Sequence, residues 1–264
     1  MPPVEQYYDH HAPTEWQRLE HHRTEFAVTL RALHEFLPPP PATILDIGGG
    51  PGRYAIALTQ QGYTVTLVDL AHQNLVLAVE HAATAQVHVA HVVHANALNL
   101  AALLPATYDA VLLLGPLYHL LTIQERTQAV HEALRVLKPH GVLCAAFITR
   151  FAPFRNAAKR DPLWLLQHQA YAEQLLITGQ HTAGANFTHV YFAHPAEICP
   201  FMESMGLKTR EMIGCEGVVS EVEEQVNQLT GAAWEAWVDL NYRLGKEPTL
   251  HGAAEHLLYI GQKS

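Results

Sequence analysis

A cluster of glycines at the end of a short apolar segment constrains the fold of this chain more than any other feature. Residues 43–47 are apolar except for Thr43 and Asp46, and glycines follow at positions 48, 49, 50 and 52. A helical pattern begins directly afterwards, so the region predicts a buried strand, a tight turn and a helix. Glycine permits a sharp turn and a close approach of backbone to a ligand, and the first N–H groups of the helix remain free to bind it.

Apolar runs of strand length alternate with helical patterns through the first 150 residues. We predict strands at 43–47, 63–68, 86–93, 108–114 and 142–148, and helices at 19–37, 54–61, 73–83 and 125–137. Four prolines at positions 38–41 end the first of these helices. This alternation predicts the α/β class, with a doubly wound, Rossmann-like parallel sheet, right-handed crossovers and helices on both faces.

The regular alternation stops near residue 149. Two helical segments and an aromatic, histidine-rich stretch follow, and strand patterns at 207–213 and 256–261 then flank a long helical pattern at about 222–243. We therefore divide the chain into an N-terminal helical arm (1–41), a core (42–150), an insertion (151–200) and a C-terminal part of the sheet (201–264).

The composition disfavours several classes of protein. The 264 residues include 16 Lys and Arg against 25 Asp and Glu, a net charge of −9 that suits neither DNA nor RNA as a partner. No uncharged apolar run approaches the ~20 residues of a membrane span, and the first residues lack the pattern of a signal peptide. The three cysteines form no CxxC pair. We expect a cytoplasmic protein with reduced thiols that acts on a small molecule, as a monomer or a homodimer.

The glycine turn and the strand after it form the pattern of a nucleotide site. The second predicted strand ends at Asp69, about 20 residues beyond the first glycine, where a carboxylate can accept both hydroxyls of a ribose. A dinucleotide site requires a third glycine at the position of Arg53, close to the neighbouring strand. NAD therefore suits this turn poorly, although it stays open as an alternative cofactor.

Asp46 to Gly52, with the pattern D-x-G-x-G-P-G, resembles motif I of the class I S-adenosylmethionine-dependent methyltransferases. Residues 108–115 resemble motif IV of that family, and residues 134–141 resemble its usual approach to the fifth strand. The resemblance extends over roughly residues 42–150. It implies a seven-stranded sheet with an antiparallel last strand, S-adenosylmethionine as cofactor and S-adenosylhomocysteine as product.

The resemblance also implies roles for individual residues. Asp69 stands at the family's ribose-binding acidic position, and Asn96 with Ala97 stands where members often have an Asp-Ala pair beside the adenine. An amide can still hydrogen-bond adenine, so Asn96 is retained as a candidate. Arg53 is a candidate partner of the cofactor's carboxylate, or else a solvated helix residue. The predicted cofactor-binding residues are Tyr8, Asp46, Gly48, Gly49, Gly50, Gly52, Arg53, Asp69, Leu70, Asn96, Ala97, Gly115 and Pro116.

The N-terminal arm is rich in aromatic and polar residues. In similar methyltransferases such an arm folds over the cofactor, so Tyr7 or Tyr8 could place its ring against the positively charged sulfur. The alternative is a frayed terminal segment with aromatic residues packed on the surface.

Methyl transfer requires in-line attack on the methyl group, and therefore depends on positioning. Tyr118 and His119 follow the fourth strand at the edge of the sheet where ligands bind in open α/β folds. We predict both as catalytic residues, with His119 as the general base. The alternative role for His119 is to cap the next helix or to pack beneath the insertion.

The insertion is predicted to form a helical lid or acceptor pocket. Its aromatic and basic candidates are Arg150, Phe151, Phe154, Arg155, Trp164, His181, Phe187, His189, Tyr191, Phe192 and His194. The segment as a whole, and no single one of these residues, carries the prediction.

The predicted function is methyl transfer from S-adenosylmethionine to an oxygen, nitrogen or carbon atom of a small molecule. The alternative is a protein with this fold that binds the cofactor but performs non-methyl chemistry or no turnover. The chain has 19 histidines, but none lies in an HExxH motif or at a His/Cys spacing typical of zinc, so we predict no metal site.

Overall fold

The computed structural model describes residues 3–182 and 188–264, apart from the side chains of Pro3, Pro13 and residues 18–21. Its strands are β1 (Thr43–Ile47), β2 (Thr64–Asp69), β3 (His91–His94), β4 (Tyr108–Leu113), β5 (Leu137–Ile148), β6 (Gln180–His181), β7 (Val190–Tyr191), β8 (Leu207–Gly214) and β9 (His256–Lys263).

Seven of these strands form one mixed sheet in the order β3-β2-β1-β4-β5-β9-β8, and β6 and β7 form a separate two-stranded sheet. The first five strands are parallel, whereas β9 runs antiparallel to both β5 and β8. The structure therefore confirms the predicted α/β class and the seven-stranded, Rossmann-like sheet with an antiparallel last strand.

Eleven α-helices are found in the described part of the chain. They are α1 (Pro3–His21), α2 (Arg23–Phe36), α3 (Arg53–Gln60), α4 (His72–Thr84), α5 (Ile123–Val136), α6 (Ala152–Arg160), α7 (Trp164–Gln167), α8 (Gln169–Thr178), α9 (Pro195–Glu203), α10 (Glu223–Asn227) and α11 (Gly231–Gly245). Short 3-10 helices occupy Pro116–His119, Gly217–Val222 and Pro248–Ala253. None of the described helices has the length and apolar character needed to cross a membrane.

The side chains of the central strands alternate between two apolar layers. Ile44 and Leu112 pack with residues of α2, α3, α4 and α11, whereas Leu45 and Val111 pack with residues of α5 and α9. All four are completely buried. Successive strand residues point to opposite faces, and both faces here are covered by helices, so the near-continuous apolar strands follow from the architecture.

The third strand is shorter than predicted, because β3 begins only at His91 and the prediction began at residue 86. Gln86 adopts a left-handed backbone conformation with φ of 56°. The N–H of Val87 then donates to the carbonyl of Ala82. The start of the predicted strand therefore terminates α4, and only four residues remain to pair with β2.

Two predicted helices are each divided in the structure. The helix predicted at 19–37 breaks at His22, whose ψ of 55° is not helical, so α1 and α2 are separate elements. The pattern at 222–243 separates into α10 and α11, because Thr230 is extended and Gly231 has a φ of 55°. The fifth strand is longer than predicted, because residues 137–141, which precede the predicted strand at 142–148, also belong to β5. A register shift in the pairing with β4 separates these two parts of the strand.

Candidate active site

A cavity of about 510 Å³ lies at the carboxyl ends of β1, β2 and β4. This is the edge of the sheet at which ligands bind in open α/β folds. Almost all the predicted site residues line the cavity: Tyr8, Asp46, Gly48, Gly49, Gly50, Arg53, Asp69, Leu70, Asn96, Ala97, Gly115, Pro116, Tyr118 and His119. Gly52 does not line it, and the position of its missing side chain faces Ala78 of α4.

The glycine turn allows the end of β1 to approach the segment after β4. The N–H of Gly48 donates to the carbonyl of Val68 at 2.7 Å, and Gly48 has a φ of 68°. A Cβ atom at this position would lie 2.7 Å from the ring of Pro116. Because no Cβ atom tolerates such a contact with a rigid ring, Gly48 is required for this turn to close against Gly115 and Pro116.

Asp69 is held firmly at the end of β2. Its Oδ2 accepts the N–H of Gly50 at 2.8 Å, and its Oδ1 accepts the N–H of Ala71 at 2.8 Å and the amide of Asn74 at 3.2 Å. Burial raises the pKa of Asp69, while these donors act in the opposite direction. The carboxylate thus has a fixed orientation at the cavity wall, where its predicted role is to accept the ribose hydroxyls.

Asp46 lies one strand away from Asp69 in a different environment. It is fully buried, and neither of its carboxylate oxygens has a hydrogen-bond partner among the described residues. Burial, followed by the charge of Asp69, raises the pKa of Asp46 to about 7, and the nearby backbone N–H of Ala55 only partly opposes this shift. A buried carboxyl without a strong donor is costly, so this wall of the cavity suits a cationic group.

His119 projects from the 3-10 helix after β4. Its Nδ1 lies 3.0 Å from the backbone carbonyl of His189, and its Nε2 lies 2.6 Å from the hydroxyl of Tyr8. Because the carbonyl can only accept, Nδ1 carries a proton, and in the neutral form of the ring Nε2 accepts a hydrogen bond from the Tyr8 hydroxyl. The ring of Tyr118 meets the His119 ring edge-on, at 4.7 Å between centroids.

Arg53 joins the glycine turn to α1. Its Nη2 and Nε donate to the backbone carbonyl of Trp16 at 2.9 and 3.2 Å, and its guanidinium lies 4.2 Å from the centroid of the Trp16 ring. The other face of the site is shaped by Asn96, whose Oδ1 accepts the N–H of Leu98 at 2.9 Å. The roles predicted for Arg53 and Asn96 toward a cofactor stay predictions.

Sequence reasoning missed several residues of the cavity wall. Asn74, in the first turn of α4, donates to Asp69 and orients it. Its position only five residues after Asp69 in the sequence could have indicated this contact. Glu15 and Val4 line the cavity from α1, and Glu125 and Thr122 do so from the start of α5. The last two form a capping box, which is recognisable as T-x-x-E in the sequence.

Of the insertion residues that the sequence singled out, His189 lines the cavity. Others hold the insertion together: Arg150 pairs with Glu197 at 3.2 Å, and Arg155 donates to the carbonyl of Gly252 at 2.7 Å. Phe187 lies outside the described residues.

Known proteins resemble this chain in the region of the cavity. Residues 44–141 match the family model of a methyltransferase domain. This match supports a methyltransferase of the class I, S-adenosylmethionine-dependent type. The match begins in β1 and ends within β5, so it includes the glycine turn, Asp69 and His119.

Two curated relatives carry the name ubiquinone biosynthesis O-methyltransferase. The protein from Saccharophagus degradans is 27% identical over 174 residues, which are 65% of this chain and 65% of that relative. The protein from Xylella fastidiosa is 29% identical over 190 residues, or 71% of this chain and 69% of the relative. The chain thus spans about two thirds of the length of these relatives.

Solved structures share the fold at low sequence identity. A methyltransferase from Methanosarcina mazei superimposes with a TM-score of 0.62 at 18% identity, covering 88% of this chain and 96% of the other. A possible histamine N-methyltransferase from Thermotoga maritima gives a TM-score of 0.57 at 15% identity, covering 98% and 99%. These likenesses concern the fold of the whole chain.

S-adenosylmethionine is the cofactor of this family, and the cavity fits it. The buried carboxyl of Asp46 lacks a hydrogen-bond donor and so suits the cofactor's ammonium group. Gly50 lines the cavity, and its missing Cβ would meet no atom within 4 Å, which leaves room for a ligand against the backbone. Asp69 would hold the ribose, and the apolar residues Ala97 and Leu98 would border the base.

Proposed function

We propose that this chain transfers the methyl group of S-adenosylmethionine to a hydroxyl oxygen of a small molecule, with His119 as the general base. The single observation that carries the proposal is the state of His119, whose Nδ1 donates to the carbonyl of His189. In the neutral ring, Nε2 is then the hydrogen-bond acceptor, and His119 lines the cavity. The names of the two relatives, which are both O-methyltransferases, support oxygen as the atom that is methylated.

Bound S-adenosylmethionine supplies an electrophilic methyl group on a positively charged sulfur. An acceptor hydroxyl that replaces the Tyr8 hydroxyl at Nε2 would be oriented by His119. As its oxygen bonds to the methyl carbon, the hydroxyl proton passes to Nε2, and the electron pair of the broken C–S bond remains on sulfur. The base thus removes the positive charge that would otherwise develop on the acceptor oxygen.

Tyr8 controls access to His119 in this proposal. Its hydroxyl, on α1, donates to Nε2 at 2.6 Å and so occupies the place that an acceptor hydroxyl requires. We therefore assign residues 1–41 as an arm over the cofactor site and residues 151–200 as a lid, because α1 supplies Tyr8 and the insertion supplies the backbone carbonyl of His189. Together they would exclude water from the reacting atoms.

The experiment is incubation of the purified protein with methyl-labelled S-adenosylmethionine and a panel of phenols, amines, carboxylates and quinones. We expect label on phenolic oxygen. His119→Ala should reduce kcat by about 10²-fold or more, the usual contribution of a general base. Its affinity for S-adenosylhomocysteine should not change, since the base acts on the acceptor. The matched control is His131→Ala, which removes an exposed histidine of α5.

Two results would contradict the proposal. Full activity of His119→Ala toward phenols would remove His119 from the mechanism. If S-adenosylhomocysteine binds but no acceptor in the panel takes up label, the alternative of non-methyl chemistry or no turnover becomes the better account of the site.

A further inference from the structure

Arg126, in the first turn of α5, is a buried arginine that does not line the cavity but contacts residues that do. The residue is 6% exposed. Its Nη1 donates to the backbone carbonyls of Leu120 and Leu121 at 2.7 and 3.0 Å. These two residues directly follow His119 in the chain, and both line the cavity. Arg126 therefore holds the segment that connects His119 to α5.

The same guanidinium packs on the insertion. Its central carbon lies 3.5 Å from the centroid of the Tyr191 ring, in β7. A cation over the face of an aromatic ring is attracted to it, most strongly where water is excluded. Tyr191 is two residues beyond His189, whose carbonyl accepts the Nδ1 proton of His119. One guanidinium thus contacts both of the segments that meet at His119.

The ring of Tyr191 is itself held in place. Its hydroxyl donates to Oε1 of Glu197 in α9, and Glu197 pairs with Arg150 at 3.2 Å. Burial, followed by the hydrogen bond to Glu197, raises the pKa of Tyr191 to about 12, so the hydroxyl keeps its proton at neutral pH. Gln180 of β6 pairs with Tyr191 across the two-stranded sheet. The ring therefore offers Arg126 a fixed surface.

A second contact from the insertion reaches the segment after His119. The side-chain Nε2 of Gln180 donates to the carbonyl of Leu121 at 3.2 Å. A carbonyl oxygen has two lone pairs and can accept both this bond and the one from Arg126. The chain after His119 is thus bound on one side by α5 and on the other by the two-stranded sheet of the insertion.

The choice of arginine at this buried position has a chemical reason. Burial lowers the pKa of Arg126, and the negative charges of Glu197 and Glu125 oppose this shift. A buried cation is costly even when it is partly compensated. Arginine alone provides a rigid planar group that donates hydrogen bonds at its edge while its face lies on an aromatic ring, whereas lysine provides only a point charge on a flexible stem.

We propose that Arg126 is a positioning residue for His119: it holds the segment after His119 against β7 and so keeps the proton of the neutral imidazole on Nδ1. The inference rests on the proposed role of His119 as the general base. The tautomer of an imidazole is set by the hydrogen bond that its other nitrogen makes. When the His189 carbonyl moves away from Nδ1, the proton can reside on Nε2. That nitrogen then cannot take the proton of an acceptor hydroxyl.

The test is the tautomer of His119, measured by ¹⁵N NMR of the histidine-labelled full-length protein at about pH 8.5, where most imidazoles are neutral. The signals of His119 are those that disappear in His119→Ala. We expect the proton on Nδ1 in the unmodified protein. Arg126→Met keeps a long side chain but has no donor, so a substantial population should carry the proton on Nε2. Arg126→Lys restores a donor without the planar face and should give an intermediate population.

Activity should change in parallel with the tautomer. In the methylation assay, Arg126→Met should lower kcat by about 10- to 100-fold, the effect of misplacing a reacting group by about an ångström. The affinity for S-adenosylhomocysteine should not change. The matched control is Arg135→Met, near the other end of α5, which also removes donors to two loop carbonyls, those of Leu100 and Leu103 at 2.7 and 2.9 Å. This control should lower Tm and leave both kcat and the tautomer unaltered.

An unchanged His119 tautomer in Arg126→Met that is folded by circular dichroism would overturn the inference, whatever the effect on kcat. An equal change of tautomer in Arg135→Met would also overturn it, because loosening of α5 would then be the cause. Tyr191→Leu, which removes the ring beneath the guanidinium, gives a second route to the same expected shift if Arg126→Met does not fold, and an unchanged tautomer there would equally overturn the inference. The tautomer is observed without acceptor or turnover, so full activity of His119→Ala would contradict the proposed function and not this measurement.

Discussion

At the scale of single residues, the two carboxyl groups at the ends of β1 and β2 differ in their hydrogen bonds. Both are buried, but Asp69 accepts three N–H donors whereas Asp46 has no described hydrogen-bond partner. The pKa of Asp46 is consequently raised to about 7 by burial and by the charge of Asp69. Since the unfolded chain loses this proton near pH 4, the free energy of unfolding should decrease as the pH rises from about 4 to about 7.

Binding of the cofactor or its product should release the proton of Asp46. An ammonium group beside the carboxyl lowers its pKa, so S-adenosylhomocysteine should bind more tightly as the pH rises through 7. Isothermal titration at pH 6.5, in buffers of different ionisation enthalpy, should detect release of most of one proton. Asp46→Asn should abolish this release, and Asp239→Asn, on the surface of α11, should not. An unchanged proton release in Asp46→Asn would assign the proton to another group.

At the scale of elements, α1 is attached to the sheet through Trp16. The Trp16 ring lies 4.2 Å from the guanidinium of Arg53 and 3.6 Å, centroid to centroid, from the ring of His81. The N–H of Gln73 on α4 also donates to Asp9 of α1 at 3.1 Å. These contacts place Tyr8 of the same helix against His119.

Trp16→Ala should therefore release α1 from the rest of the molecule. We expect a loss of about 1–2 kcal/mol in unfolding free energy, since a cation–π contact and a partly buried aromatic ring are both removed. Binding of S-adenosylhomocysteine should weaken several-fold. Urea denaturation and limited proteolysis of the N-terminal region measure both effects. Trp237→Ala, in which a more exposed tryptophan of α11 is removed, is the matched control. Unaltered protease resistance of α1 would show that other contacts hold it.

At the scale of the whole molecule, the reactivity of the three cysteine thiols indicates whether the sheet opens as one unit. Cys144 in β5 and Cys215 after β8 are buried in the same apolar layer, whereas Cys199 on α9 is partly exposed. Burial raises the pKa of the Cys144 thiol to about 12, so its reactive thiolate is scarce in the folded protein.

A thiol reagent should label Cys199 in the folded protein, and Cys144 and Cys215 only when the sheet opens. S-adenosylhomocysteine at 100 times its Kd stabilises the folded state by about 2.7 kcal/mol. It should slow labelling of the two buried thiols about 100-fold, if refolding is faster than labelling. Cys199→Ser isolates the slow reaction for measurement by mass spectrometry. Labelling of Cys144 at a rate independent of the ligand would indicate local opening of β5.

Much of the fold and of the cavity was predictable because the determining residues act locally. Gly48 is needed for the turn that follows β1, and Asp69 marks the end of β2, so both are recognisable within about 30 residues of sequence. Apolar runs determined which segments became buried strands. The errors, at the start of β3 and at the breaks beside His22 and Gly231, concern boundaries at which a few backbone hydrogen bonds compete.

The sequence by itself determined the class of fold and the backbone of the cofactor site, because hydrophobic periodicity and glycine conformation are properties of short segments. Only the tertiary structure decided which distant groups meet. Tyr8 and His119 are 111 positions apart, and His256 is 40 positions from Glu216. The high pKa of Asp46 likewise depends on burial and on the lack of donors around it. Protonation and pairing are set by packing in three dimensions, and no local pattern in the chain encodes them.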